Sequence, residues 1–475
     1  MHKARYITTT LPYVNSDPHI GFALEIVQAD ALARYWRLTG HDVFFSTGTD
    51  EHGQKILQKA QEEGRDVQEY VDHYAGEFQK LKDTLGLSYD AFIRTTDEDH
   101  KAAAQELWKR CEQSGDIYKK KYKGLYCVGC ELFLKDSDLA DGKCPNHPTQ
   151  EPQEIEEENY FFKLTNYKGR LLEYLSNADS VIPDWRREEA ITLVNNLEDL
   201  SISRDKERLS WGVPVPGDDS QVMYVWFDAL TNYISTTGWP EDKEGNFKKF
   251  WDEGYSVQTA GKDQVRFQSV IWQAMLMSGG VPTTDSIFYH GFITSDGQKM
   301  SKSIGNVISP FDVVEKYGLD ATRYMLLRHV HPVDDSDITW ERLDEWYEAH
   351  LVNGYGNLVS RIMKLAETHL DTPIEQPEAV GFPKEYTEAI DKFDFNAALD
   401  YVWRRIGDLD EKITTTEPFK LVKENEGEGK KLIAELAEEL YLITRMLNPF
   451  MSETNTLVKK TILENKKPEN LFPRL

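Results

Sequence analysis

The apolar positions change their period along this chain, and each change marks an element. Arg5 to Thr10 is a short β-rich run and Leu11 to Pro18 a turn-rich loop. Phe22, Ile26, Ala29, Ala33 and Trp36 then recur at helical spacing until Gly40. Val43-Phe44-Phe45 supplies a second buried strand, so the opening predicts a β-α-β unit with a right-handed parallel crossover. Between about 116 and 225 aromatic, charged and turn-forming segments break this rhythm, among them the acidic run Glu154 to Glu158. Val222-Met223-Tyr224-Val225-Trp226 and Ser286-Ile287-Phe288-Tyr289 read as strands that resume the α/β alternation. The expected sheet is therefore split in two by an inserted module.

From about residue 340 the period becomes helical throughout. Leu351, Tyr355, Leu358, Ile362 and Leu365 form one apolar stripe. Phe395, Leu399, Val402, Ile406, Leu409 and Ile413 form a second, and Ile433, Leu436, Leu440, Ile443 and Leu447 a third. Pro373, Pro377, Gly381 and Pro383 mark a linker between the first two, and Gly427 and Gly429 a loop before the third. These stripes predict a helical bundle.

Length adds that about three domains are expected at roughly 150 residues each. Hydrophobic residues at 40% and aromatics at 12% exclude a disordered chain. A net charge of −26 repels nucleic acid on average, so any RNA partner must meet a local basic stripe. The N-terminus lacks an apolar signal-type segment, and no apolar stretch reaches the ~18 residues a membrane span needs. With four cysteines, three of them clustered, a reducing cytoplasm is the expected compartment, and Cys111 reads as a buried small hydrophobe.

Cys127-x-x-Cys130 and, after thirteen intervening residues, Cys144-x-x-His147 give soft and borderline ligands in two short turns. That spacing suits a closed tetrahedral zinc site, which braces a fold and leaves no open position for catalysis. His19 is expected at a helix N-terminus, where free N–H groups already favour phosphate, and Gly21 would let a nucleotide approach. A lone histidine is usually structural. The stretch Lys299-Met300-Ser301-Lys302-Ser303, between Asp296-Gly297 and Gly305-Asn306, lifts the catalytic reading: it is expected as a hinge-flanked flap whose two ammonium groups neutralise a departing pyrophosphate. Thr47-Gly48-Thr49-Asp50-Glu51-His52-Gly53 resembles a phosphate loop only superficially, because Gln54 stands where the lysine would be needed. Asp50 could pair with a substrate ammonium or serve as a helix cap. Trp226, Ala229 and Tyr233, at helical spacing, read by themselves as core.

Taken in order, several blocks carry a resemblance: Leu11-Pro12-Tyr13-Val14-Asn15, His19-Ile20-Gly21, Thr47 to Gly53, Trp211 to Pro216, Val225 to Ala229, Gly261-Lys262-Asp263 and Lys299 to Ser303. Over nearly its whole length the chain resembles the class I aminoacyl-tRNA synthetases, and among them the bacterial-type methionyl-tRNA synthetases with a single zinc knuckle. The resemblance implies a Rossmann-like parallel sheet, split by a zinc-binding insertion and followed by an α-helical bundle. The implied divisions are 1–115 and 226–295 for the two catalytic halves, 116–225 for the insertion with its knuckle at about 126–150, 296–345 for the flap and stem-contact region, and 346–475 for anticodon binding.

It further implies ATP-dependent activation of methionine to methionyl-adenylate, with Mg²⁺ escorting ATP, and transfer to the 3′ end of methionine tRNA. By the same resemblance His19, Gly21, Gly261, Asp263, Lys299 and Lys302 would bind ATP, with His19, Lys299 and Lys302 catalytic. Asp50 would hold the α-ammonium, while Leu11, Tyr13, Trp226, Ala229, Tyr233 and Phe267 would line a pocket whose aromatic walls suit a thioether. Cys127, Cys130, Cys144 and His147 would bind Zn²⁺. Asn357 and Arg361, four apart on one helix face, and Phe419 would read the anticodon. The chain departs from the family pattern at Phe22, Gln264, Gln268 and Phe419.

Two alternatives remain: a class I synthetase for another amino acid, for which the insertion is too short to hold a large editing domain, and a noncatalytic tRNA-binding paralogue. Since the sequence stops soon after the bundle, with no dimerising domain appended, a monomer is expected.

Overall fold

The computed structural model describes residues 3–128, 132–134, 139–145, 151–300, 305–378 and 381–475. It divides into two compact units. The first comprises Met1–Pro18, Gly40–Lys80 and Tyr89–Tyr289; the second comprises His19–Thr39, Leu81–Ser88 and His290–Leu475.

The first unit is built on a six-stranded sheet in the order Ala91–Arg94, Asp42–Thr49, Ala4–Thr8, Tyr255–Gly261, Ser286–His290, Val181–Ile182. Ala4–Thr8 pairs in parallel with both Asp42–Thr49 and Tyr255–Gly261, which fits the expected crossover. Chain order reverses between these two central neighbours, and the crevice beyond the carboxyl ends of such strands is where parallel sheets bind ligands. Leu11 and Tyr13 leave one of these ends, and Gly261 and Asp263 leave the other. Large side chains such as Tyr6, Trp108, Phe227 and Trp272 fill the core against the sheet. Burying each is worth roughly 1.5–3 kcal/mol, which holds the strand ends in fixed positions.

One expectation is corrected here, and one strand was missed. Val222 to Trp226 does not join the parallel sheet. Asp218–Met223 pairs antiparallel with Ser203–Asp205 in a separate three-stranded sheet, and Val225–Leu230 is already helical. A short apolar run does not by its period distinguish a buried strand from a buried helical turn. Tyr255–Gly261, a central strand, went unread in the sequence because buried parallel strands carry no alternation. The insertion contributes a long ribbon in which Ile117–Cys127 runs antiparallel to Gln153–Phe162. Lys121 faces Glu158 and Lys123 faces Glu156 across it, so the acidic run is one half of a charge-matched pair of strands. Val181–Ile182, also within 116–225, adds an edge strand to the main sheet through its parallel pairing with Ser286–His290.

In the second unit the bundle helices include Asn357–His369, Lys384–Asp391, Phe395–Thr416, Pro418–Glu424, Glu426–Met446 and Ser452–Leu463. The three apolar stripes are buried as expected, apart from a half-buried Leu365. Gly427 and Gly429, however, lie inside the helix Glu426–Met446 rather than in a loop. Asn425 caps that helix through its side chain, and a Cβ on Gly429 would collide with the backbone of Val422 on the preceding helix. The glycine is there for close helix approach rather than for a turn. Deep in the same unit Arg323 is fully buried; its guanidinium meets the Asp30 carboxylate at 2.7 Å and donates to the carbonyls of Leu85, Pro449 and Phe450. Burial alone would raise the Asp30 carboxyl, but Arg323 and Arg34 hold it below the usual carboxylate range. No helix among the described residues is long and apolar enough to cross a membrane.

Candidate active site

In the first unit the chain after Ala4–Thr8 turns beside the end of Asp42–Thr49. Asp50 N–H donates to the Pro12 carbonyl at 3.0 Å and Val14 N–H to the Asp50 carbonyl at 3.2 Å, so Tyr13 and Asp50 stand side by side as an isolated parallel bridge. Tyr13 meets Trp226 edge-on at 6.2 Å, and Trp226 stacks on Phe267 at 3.8 Å with the rings tilted by 16°. Ala229 sits one turn along from Trp226. Tyr233 follows on Asn232–Ser235, where its hydroxyl accepts from Gln268 Nε2 at 2.7 Å. Of the expected pocket residues, Tyr13, Trp226 and Phe267 therefore form one aromatic wall beside Asp50. Leu11 is half-buried on the same loop. Among the described residues, the buried Nε1 of Trp226 and Oε1 atoms of Gln264 and Gln268 have no hydrogen-bond partner.

The segment carrying Asp50 is held on three sides. Glu51, fully buried, takes Arg94 in a two-pronged pair at 2.7 and 2.9 Å and accepts from Thr49 and Thr96. The Trp211 indole donates to the Glu51 carbonyl at 2.6 Å. His52 Nδ1 lies 2.7 Å from Asp228 Oδ2, while His100 Nε2 lies 2.8 Å from Asp228 Oδ1. Burial pushes the Asp228 carboxyl up, but the two imidazoles outweigh it and hold the group down to about 2. Asp228, His52 and His100 were not picked out from the sequence. A carboxylate in the otherwise apolar turn Val225-Trp226-Phe227 was the available signal, because such groups are almost never buried unless paired.

Gly261 ends its strand in the buried interior, and Asp263 is exposed on the short helical turn Lys262–Gln264 that follows. Both emerge at the reversal in strand order, where a nucleotide's ribose is expected.

The second unit carries the phosphate-side candidates. His19 is the exposed N-cap of Ile20–Leu38, and its Nδ1 accepts from Gly21 N–H at 3.1 Å. The proton of the neutral ring is thereby left on Nε2. A Cβ on Gly21 would press on this ring at 3.0 Å, so glycine there serves the histidine as well as any ligand. Ile20 N–H donates to the Ile308 carbonyl at 3.0 Å, which ties the chain just past the lysine-serine segment to the start of this helix. Asp296 and Gly297, expected as one side of a hinge, form the tight turn of a hairpin between Ile293–Ser295 and Gln298–Lys299. Their φ values are 55° and 69°, and Gly297 N–H is pinned by Asp337 Oδ1 at 2.7 Å. Lys299 is placed by its backbone on the second strand of that hairpin. Lys302 lies outside the described residues.

The expected zinc ligands are half visible. Cys127 and Cys144 are both 2% exposed and pack in one small cluster with Leu134. Cys130 and His147 lie outside the described residues, and no group of three or more metal-binding side chains occurs among the described ones. Two buried thiols side by side are a donor set that fits zinc. Cys111, by contrast, is buried and inert, its thiol pushed up to about 12 by burial. On the bundle, Asn357 opens the helix Asn357–His369, Arg361 is ion-paired with Asp410, and Phe419 is an exposed ring on Pro418–Glu424.

The family model described as tRNA synthetases class I (M) matches residues 5–155 and 149–363. The methionine–tRNA ligase of Thermotoga maritima is 42% identical over 98% of this chain and 76% of its own length. That of Rhizobium meliloti is 39% identical over 94% of this chain and 90% of its own. The Mycobacterium tuberculosis methionyl-tRNA synthetase bound by methionyl-adenylate has a similar structure, with a TM-score of 0.89 at 34% identity over 99% of both chains. Its free form gives 0.82 at 31% identity. Since these matches run through the sheet, the aromatic wall and the first bundle helix together, the chain belongs to the methionyl branch of the class I tRNA synthetases.

Proposed function

We propose that this chain activates methionine with ATP and transfers the methionyl group to methionine tRNA. The observation that carries this is the aromatic wall of Tyr13, Trp226 and Phe267 beside the backbone-paired Asp50, at the point where strand order reverses. A carboxylate only 2% exposed is stabilised by an incoming ammonium, and stacked rings suit a polarizable thioether better than a branched or charged side chain. Leu11, Ala229 and Tyr233 complete the pocket in this reading.

In the first step an oxygen of the methionine carboxylate attacks the α-phosphorus of ATP. The bond from that phosphorus to the bridging oxygen breaks, and pyrophosphate leaves with the electron pair. Asp50 holds the ammonium and so aims the carboxylate; Gly261 and Asp263 seat the ribose. In this reading His19, with Gly21 at a helix N-terminus, would bind the phosphates, and Lys299 and Lys302 would offset the charge that builds on pyrophosphate. Mg²⁺ brought in with ATP would supply further neutralisation of the phosphate charge. In the second step a ribose hydroxyl at the tRNA 3′ end attacks the methionyl carbonyl and AMP departs.

Asn357, Arg361 and Phe419 form the anticodon end in this reading, and Cys127, Cys130, Cys144 and His147 would hold a structural Zn²⁺. We take the chain to work as a single copy in a reducing cytoplasm; sedimentation checks the first of these. The primary test is ATP–pyrophosphate exchange with each amino acid in turn, followed by charging of methionine tRNA. Methionine is expected to be preferred, and Lys302→Ala is expected to abolish exchange while tRNA binding persists. A clear preference for another amino acid, or exchange with none, would overturn the assignment.

A further inference from the structure

We propose that Asp228 is a positioning residue for methionine recognition, its carboxylate joining the Asp50 segment to the helix that carries Trp226 and Ala229. This rests on the pocket assigned above and adds what sets its shape. Asp228 is 1% exposed, and each of its oxygens is taken by a different imidazole: Oδ2 by His52 Nδ1 at 2.7 Å and Oδ1 by His100 Nε2 at 2.8 Å. A carboxylate only accepts, so both ring nitrogens donate.

Each imidazole leads to another part of the pocket. His52 stands two residues after Asp50, with Trp211 edge-on to its ring at 5.4 Å. His100, fully buried on Glu98–Gln113, reaches with its other nitrogen to Ser235 Oγ at 2.9 Å, two residues past Tyr233. Asp228 itself lies between Trp226 and Ala229 on the one-and-a-half-turn helix Val225–Leu230, which is too short to hold its orientation alone. One carboxylate therefore fixes the distance between the group expected to hold the ammonium and the wall expected to hold the side chain. Neither histidine lies in the aromatic wall, so the cluster acts through position.

The test uses the full chain in methionine-dependent pyrophosphate exchange, with thermal unfolding of every variant as a check on folding. Asp228→Asn replaces one acceptor with a donor and is expected to raise the KM for methionine on the order of tenfold, the effect of one charge-assisted hydrogen bond. The KM for ATP is expected to stay put. The preference for methionine over norleucine, read as a ratio of kcat/KM values, is expected to narrow. His100→Gln keeps an N–H near the place of Nε2 and His52→Asn keeps one near Nδ1; each is expected to stay closer to the parent than His100→Ala or His52→Ala. Should Asp228→Asn not fold, these histidine pairs carry the same comparison. A fall in kcat with the methionine KM and the norleucine ratio unmoved would reduce the cluster to core packing and sink the proposal. Failure of the parent chain to use methionine would instead remove the functional assignment beneath it.

Discussion

Gln268 donates through Nε2 to the Tyr233 hydroxyl at 2.7 Å, with both side chains almost wholly buried. One of the positions expected from the sequence to depart from the family pattern thus makes a direct contact in the expected pocket. Gln268→Leu removes the donor at similar volume. It is expected to raise the KM for methionine between about twofold and tenfold, the range for a neutral hydrogen bond. Exchange kinetics over a methionine series check this, and an unchanged KM would remove the contact from recognition.

Gly429 and Gly427 stand two residues apart in one helix yet should respond oppositely. At Gly429 an added methyl meets the Val422 backbone, so Gly429→Ala is expected to destabilise by about 1–3 kcal/mol. At exposed Gly427 the nearest atom to such a methyl is Asn425 Oδ1 at 3.8 Å, and Gly427→Ala should stabilise by about 0.4–1 kcal/mol through the unfolded chain. Urea unfolding of the two variants gives the comparison directly.

His329 lies flat against Trp346, ring centres 4.7 Å apart, where burial, Arg328 and His350 push it down to about 3. An unfolded histidine titrates near pH 6.5, so on acidification the unfolded chain takes up this proton first. Stability contributed by the neutral ring is therefore whole above about pH 6.5 and drains as pH falls toward 3, by at most about 1.4 kcal/mol per unit and less for a partly exposed ring. His329→Phe keeps a flat ring without the titration. Its melting temperature is expected to drop less steeply than the parent's between neutral pH and about pH 4.5.

Metal analysis of the purified chain is expected to find about one zinc per molecule, lost in Cys144→Ser. Chelation should lower the melting temperature and leave pyrophosphate exchange measurable, because a closed four-ligand site does no chemistry. Zinc-free parent protein of full stability would remove the knuckle.

Phe419 is 42% exposed, a large apolar ring offered to solvent. Phe419→Ala is expected to weaken methionine tRNA binding by about 1–3 kcal/mol, the usual worth of stacking one base, while leaving methionine activation intact. Filter binding with tRNA and exchange without it separate the two effects.

The legible parts of the sequence were those with a period or a spacing. The bundle follows from three heptad-like stripes, because half-buried helices must alternate apolar with polar, and the first β-α-β unit from short apolar runs on either side of the helical spacing of Phe22 to Trp36. Strand Tyr255–Gly261 is buried on both faces and carries no such alternation. Val222 to Trp226 was too short to assign by period, and Gly429 marks a close approach that no local rule distinguishes from a turn. Single site residues such as His19 and Asp50 took their expected roles from the family resemblance. The cluster of His52, His100 and Asp228 escaped because its members are far apart in sequence and meet only through the fold.

The ion pair of Asp30 with Arg323 bears on any attempt to dissect this protein by truncation. The two partners belong to the same compact body, yet one is supplied by the first forty residues and the other from beyond the main sheet. A fragment begun at 290 would keep the guanidinium and the Pro449 and Phe450 carbonyls while discarding the Leu85 carbonyl and the only carboxylate it meets within salt-bridge distance among the described residues, an omission costing about 3–5 kcal/mol. The helical bundle is thus not a detachable tail, and a fragment meant to isolate it would have to carry the helix Ile20–Leu38 along, stitched in or supplied in trans.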